Sequence, residues 1–210
     1  MTVHILIADD HKIVREGLKH MMAFQSEVKC QAEAASGNEV LALLAHNKFD
    51  LLLLDMTMEG LNGPQLVKQI KATYPSLPIL VLSMHNVAQL ALHAIRAGAN
   101  GYITKGSDPE KLFAAIKKVA NGGKYLEPHL AEEMLDNFSR RDELPHLQLS
   151  GREFEIFRLL VNGKSNQEIA KILFISEKTV STYKARVLDK MQMANVADLV
   201  RYALDNKILD

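Results

Sequence analysis

Five times between Val3 and about Gly122 a short apolar run gives way to a longer amphipathic stretch, and no other feature restricts the available folds as strongly. The runs are VHILIA, VKCQAEA, DLLLLD, PILVLS and GYIT, followed by stretches at 12–22, 37–46, 64–73, 87–96 and 108–120. Apolar runs without strict two-residue alternation suit strands covered on both faces. The expectation is an α/β fold, a doubly wound five-stranded parallel sheet whose crossover helices pack right-handedly on its two faces. Helix starts carry their own signals. Ser36 with Glu39, Ser107 with Glu110, Ser150 with Glu153 and Ser165 with Glu168 have the spacing of a capping box, in which a hydroxyl accepts from the N3 amide and a carboxylate reaches back.

After Gly122-Gly123 the rhythm changes. Pro128 introduces a short helical pattern to about Phe138, followed by the polar run SRRDE and Pro145, so residues 123–146 read as a linker with a short helix. From Leu147 only helical periodicity remains, at 151–161, 166–173, 177–191 and 196–206. The 210 residues therefore divide into an α/β domain over 1–122, the linker, and a small all-α four-helix domain over 147–210.

Composition removes several function classes. With 48% hydrophobic residues and 25 basic residues balancing 25 acidic ones, the chain is neither disordered nor polybasic, and 147–210 carries a net charge of only +2. The single cysteine, Cys30, excludes an internal disulfide or a Cys-based zinc site and points to the cytoplasm. The start MTVHILIADD lacks a signal pattern and the longest purely apolar run, Val40 to Ala45, is far too short to cross a bilayer, so neither export nor membrane insertion is expected. Eight histidines are dispersed without HExxH spacing, and neither a P-loop nor GxSxG occurs. Asn137-Phe138-Ser139 spells a glycosylation acceptor, which a cytosolic chain does not use.

In an open parallel sheet, ligands bind outside the carboxyl ends of the strands, so polar residues that end apolar runs are the first candidates. Here they are Asp9-Asp10 after the first run, Asp55 after the third, Ser83 after the fourth and Lys105 after the fifth. Three carboxylates drawn together repel unless a hard divalent cation neutralises them, and Mg²⁺ takes oxygen ligands. A carboxylate beside Mg²⁺ can attack phosphorus and become an acyl phosphate while a hydroxyl and an ammonium stabilise the transferred oxygens. Asp55, Ser83 and Lys105 suit those roles.

On these residues, 1 to about 122 resembles the receiver domain of two-component response regulators, with its paired acid after the first strand, Asp after the third, Ser or Thr after the fourth and Lys after the fifth. The resemblance implies that Asp10 and Asp55 ligate Mg²⁺ directly together with the Thr57 carbonyl, that Asp9 acts largely through water, and that Asp55 accepts phosphate from a sensor histidine kinase. It also implies that Tyr102 repacks when the Ser83 hydroxyl moves toward the phosphoryl group. One departure stands out: the family usually has Pro four residues after the acceptor, where this chain has Glu59. Glu59 and His85, two residues past Ser83, are expected to tune the lifetime of the acyl phosphate.

The segment SNQEIAKILFISEKTVSTYKARVLDKM holds two helical stretches around a short break, the arrangement of a helix-turn-helix. In the second stretch Val180, Val187, Leu188 and Met191 fall on one side, while Lys178, Ser181, Thr182 and Ala185 fall on the other. A helix entering the DNA major groove needs small side chains, hydroxyls for base edges and cations for phosphates. Lys178, Thr179, Ser181, Thr182, Lys184, Ala185 and Arg186 are the candidate DNA contacts, and Lys190 adds a further cation. Residues 147–208 resemble the LuxR or GerE type of helix-turn-helix through LSGREFEIFRLLVNGKSNQEIAKILFISEKTV. That resemblance implies a base-reading helix after the turn and a final helix, about 196–206, that forms a DNA-bound homodimer through Ala197, Val200 and Leu204. The match weakens at Ser181 and Tyr183, which leaves the target sequence open.

The two halves together read as a phosphorylation-gated transcription regulator of the NarL-like class rather than a turnover enzyme. A phosphorylation-independent DNA binder with a relic receiver is the alternative. A Mg²⁺-dependent aspartyl phosphatase would want DxDx[TV] after the first strand, where this chain has Asp9-Asp10-His11-Lys12, and a flavin carrier is disfavoured by the acidic strand ends.

Overall fold

The computed structural model describes residues 2–58, 63–84, 86–139, 144–206 and 208, with the side chains of 135–139 excepted. It comprises two compact units, Met1–Glu132 and Glu133–Asp210.

The first unit is a parallel sheet of order β2-β1-β3-β4-β5-β6 built from β1 (Val3–Ala8), β2 (Val28–Ala34), β3 (Leu51–Asp55), β4 (Ile79–Ser83), β5 (Gly101–Thr104) and β6 (Tyr125–Leu126). Helices α1 (Lys12–Ala23), α2 (Gly37–His46), α3 (Gly63–Thr73), α4 (Ala88–Ala97) and α5 (Pro109–Ala120) make the crossovers, and α6 (Pro128–Ser139) follows β6. The order reverses at β1, which sends the chain first one way and then the other across the sheet. Central strands explain the unbroken apolar runs: every residue of β3 and β4 is buried, whereas the edge strand β2 alternates. Ile5, Ile7, Leu51, Leu53, Leu80, Leu82 and Ile103 pack against Leu112, Phe113, Ile116 and Val119 of α5 in one continuous core.

The sheet has six strands, not the five expected from the sequence. Tyr125–Leu126, read as linker, pairs with Gly101 and Tyr102. Two residues are too few to show periodicity. The close approach depends on Gly101, where an added Cβ would lie 2.9 Å from Leu80 and 3.0 Å from the Tyr125 carbonyl.

The caps also differ in part. Ser107 does not cap α5; Asp108 occupies the N-cap and Pro109 the first helical turn, since proline fixes the φ that a helix start requires. At α2, Ser36 accepts from the Glu39 amide as expected, but the Glu39 carboxylate receives the Ala35 amide instead of closing a strict box.

The second unit contains a 3₁₀ turn (Pro145–Gln148) and helices α7 (Gly151–Val161), α8 (Asn166–Ile172), α9 (Glu177–Lys190) and α10 (Val196–Asp205). Complete capping boxes begin α7 at Ser150–Glu153 and α8 at Ser165–Glu168. Phe154, Phe157, Ile169, Val180, Val187, Leu199 and Ala203 form the core. The α8–α9 turn bends through Phe174 at φ +52°, a left-handed conformation that usually falls to glycine.

Candidate functional site

The carboxyl ends of β1, β3 and β5 deliver an acidic pocket. Asp55 is the last residue of β3, Asp9 follows β1 directly and Lys105 follows β5, so the parallel register alone brings them to one edge. Ligand atoms of Asp9, Asp10, His11 and Asp55 all lie within 4.8 Å of one another. Lys105 Nζ sits 2.7 Å from Asp9 Oδ2 and 3.0 Å from Asp55 Oδ2. Asp9 and Asp55 are fully buried, and the Lys105 side chain nearly so.

The electrostatics describe a pocket short of positive charge. Burial raises the Asp55 carboxyl above its usual range; the Lys105 ammonium opposes that, and the Asp9 charge adds to it. For Lys105 burial acts downward, but the Asp55 and Asp9 carboxylates outweigh it and the ammonium is raised overall. Asp9 Oδ2 and Asp10 Oδ1 are buried without a partner in hydrogen-bond geometry, and are faced by Lys105 Nζ and by His11 Nδ1 at 2.6 Å. The carboxylate oxygens of Asp9, Asp10 and Asp55, with their excess negative charge and two such atoms, fit a hard divalent cation.

Ser83, at the end of β4, is buried, and its carbonyl accepts from the Lys105 amide at 2.7 Å. Tyr102 is completely buried within β5. The Thr57 hydroxyl donates to both Asp55 oxygens, at 3.2 and 3.1 Å; sequence reasoning had singled out only its carbonyl. It also missed Arg15, whose Nη1 donates to the Asp9 carbonyl at 2.7 Å while Nε meets Glu33 at 3.2 Å. A cation one helical turn past a strand-end acid is the only signal for Arg15, and it does not specify a backbone partner. Glu59 and His85 lie outside the described residues.

In the second unit α9 buries Val180 and Val187, with Leu188 half-buried and Met191 beneath them. Lys178, Ser181, Thr182 and Ala185 are exposed along one stripe, with Arg186 beside them and Thr179 and Lys184 half-buried at its margin. Thr179 helps define the helix start, its amide donating to the Ser176 hydroxyl. The Ser181 and Thr182 hydroxyls donate to the Glu177 and Lys178 carbonyls, both at 3.0 Å, so toward a partner they offer lone pairs rather than protons. Arg186 lies 5.7 Å from the centre of the Tyr183 ring. On α10 Ala197 is exposed, Val200 is half-buried and Leu204 is 62% exposed.

An acid pocket at the switch point of a doubly wound sheet, with a helix-turn-helix in the following unit, defines a signal-responsive DNA-binding regulator. Residues 5–117 match the response regulator receiver domain, and 147–203 match the bacterial regulatory proteins of the luxR family. The chain belongs to the two-component response regulators with a LuxR-type DNA-binding domain, and is a transcription regulator of the NarL-like class. It is 35% identical to the oxygen regulatory protein NreC of Staphylococcus haemolyticus over 98% of this chain and 99% of that one. A LuxR-family response regulator from Aurantimonas sp. SI85-9A1 is 33% identical with a TM-score of 0.63, covering 66% of this chain and 99% of that structure. RcsB of Salmonella enterica serovar Typhimurium, solved on promoter rprA with the phosphomimetic BeF₃⁻, is 28% identical with a TM-score of 0.65, over 96% of this chain and 98% of that one. Among the described residues no helix is long and apolar enough to cross a membrane.

Proposed function

We propose that Asp55 accepts a phosphoryl group from a sensor histidine kinase and that the acyl phosphate gates binding of the second unit to promoter DNA. The convergence of Asp9, Asp10, Asp55 and Lys105 on one buried pocket carries this reading. An Asp55 oxygen attacks phosphorus as the bond to the kinase imidazole breaks, and the departing nitrogen keeps the electron pair. Lys105, already in the pocket, meets the charge on the transferred oxygens, and the Ser83 hydroxyl supplies a further donor. Mg²⁺, held by Asp10, Asp55 and the Thr57 carbonyl with Asp9 acting largely through water, would neutralise the crowded oxygens when bound. Tyr102 repacks as Ser83 is drawn toward the phosphoryl group, shifting the population between two states of the first unit.

In the second unit α9 enters the major groove. Lys178, Lys184 and Arg186 meet phosphates, while Thr179, Ser181, Thr182 and Ala185 face bases. Ala197, Val200 and Leu204 of α10 join two copies on paired half-sites, and the RcsB–promoter complex supports this mode of action. The protein acts in the cytoplasm as a stoichiometric acceptor and not a turnover enzyme.

Acetyl phosphate and Mg²⁺ should add one phosphoryl group to the wild-type chain and none to Asp55→Asn, and should tighten promoter binding by the wild type alone. Wild-type protein that stays unmodified, or that binds equally well with and without the modification, overturns the gating. Ala185→Glu should abolish promoter binding with unchanged helical content.

A further inference from the structure

Glu127 is a buried carboxylate outside the acidic pocket, in the short segment between β6 and α6. It reaches back to the turn that carries Lys105. Ser107 Oγ donates to Glu127 Oε1 at 3.0 Å, Thr104 Oγ1 donates to Oε2 at 3.4 Å, and the two hydroxyls lie 2.7 Å apart. Lys105 stands between those two hydroxyl residues in the chain. Two residues past Glu127, His129 Nε2 donates to Asn86 Oδ1 at 2.6 Å, and Asn86 lies three residues past Ser83. Leu130 beside them is fully buried, so the entrance to α6 is packed as well as hydrogen-bonded. One short segment is thus tied to both loops that follow the proposed phosphoryl-contacting residues, Ser83 and Lys105.

We propose that Glu127, with His129, forms a tether holding the entrance of α6 to the unphosphorylated pocket, and that phosphoryl transfer to Asp55 loosens it. This rests on the reading of Asp55 as the acceptor. The new phosphoryl oxygens compete for the Lys105 ammonium and the Ser83 hydroxyl. Whatever draws Ser83 toward them pulls the chain that ends at Asn86, and whatever re-aims Lys105 moves Thr104. Hydrogen bonds weaken steeply with a few tenths of an ångström and with misalignment, so both ties favour the unphosphorylated geometry. Burial sharpens the effect at Glu127, because a carboxylate shielded from water cannot replace lost donors with solvent. Coupling between sites is reciprocal: if phosphorylation weakens the tether, cutting the tether must favour the phosphorylated form. This sign separates a tether from simple structural support, since a variant that merely damages the fold binds a phosphoryl mimic less tightly.

The test titrates full-length protein with beryllofluoride in Mg²⁺, follows the adduct by fluorine NMR, and measures amide exchange across 125–131. Glu127→Ala and Ser107→Ala should reach half-saturation at about fivefold lower beryllofluoride than wild type, the lower end of typical allosteric couplings. Glu127→Gln, which keeps an acceptor for the hydroxyls, should stay near wild type. Exchange across 125–131 should accelerate in the wild-type adduct, and in both alanine variants without adduct. Should Glu127→Ala not fold, Ser107→Ala, which removes a single oxygen, carries the test. Adduct formation with unchanged or raised half-saturation in these variants overturns the tether and leaves the acceptor reading intact. A wild-type chain that forms no adduct overturns the acceptor reading and the tether with it.

Discussion

Lys105 Nζ lies 3.0 Å from Asp55 Oδ2, and this contact sets the charge balance of the pocket, because the same ammonium also serves Asp9 at 2.7 Å. One cation answers two fully buried carboxylates.

Lys105→Met keeps most of the side-chain volume and removes that cation. Taking one partner from a buried ion pair costs about 3–5 kcal/mol, and protonation of Asp55, already favoured by burial, should reduce the loss toward the lower figure. Thermal unfolding in EDTA is expected to show the full deficit, and Mg²⁺ should restore part of it by neutralising the same oxygens. Equal deficits in EDTA and in Mg²⁺ would argue against cation binding at these carboxylates.

His146 gives the second unit a pH dependence. Its side chain is buried against Phe154 and Tyr202, with Nδ1 2.7 Å from the Tyr202 hydroxyl, and burial lowers its pKa from 6.5 to about 4. The unfolded chain therefore binds a proton that the folded one refuses, so stability is full above about pH 6.5 and falls as pH drops toward 4. The loss over that window is roughly 3 kcal/mol. Urea unfolding of the helical unit at pH 7 and pH 4.5 should show most of it, and His146→Gln should flatten the difference.

Phe174 holds a left-handed backbone at φ +52° and leaves about half of its surface in water. An L-residue in that region costs about 1–2 kcal/mol, while glycine carries an entropy cost in the unfolded chain of roughly half that. Phe174→Gly is expected to stabilise the second unit by up to about 1 kcal/mol, read as a shift in urea midpoint with unchanged m-value. A loss of stability would mean that the ring contributes packing beyond its exposed face.

Gly101→Ala tests whether β6 belongs functionally to the sheet. The new methyl meets Leu80, the Tyr125 carbonyl and Val119 within 2.9–3.1 Å, and overpacking of that kind costs about 1–3 kcal/mol. The cheapest relief is displacement of β6 from the edge, since the alternatives are core side chains. Faster amide exchange at Tyr125 than at Ile103 in the variant would show that route.

The sequence announced its strands and pocket acids because both are local signals: an apolar run long enough to see, with an acid directly after it. Asp9, Asp10, Asp55 and Lys105 need only parallel strands in register to meet. Its failures share one cause. β6 is too short for any period to emerge, and the spacing of Ser107 to Glu110 suggests a cap, whereas the Ser107 hydroxyl turns to Glu127, twenty residues on. Arg15 is an ordinary helix residue until the fold places the Asp9 carbonyl within its reach. Likewise, helical spacing puts Ser181 and Thr182 on the side of α9 away from Val180 and Val187, where both are exposed, but it does not reveal hydroxyl protons already committed to their own helix.

Asp9 and Lys105 stand far apart along the chain of the first unit, yet their charged atoms meet inside it. A chain emerging from the ribosome presents the aspartates long before the lysine that balances them, and closes the pocket only when β5 has docked. On the role proposed for Asp55, competence to be modified therefore certifies that β1, β3 and β5 have come together, and a copy cut before Lys105 lacks the cation that balances the pocket.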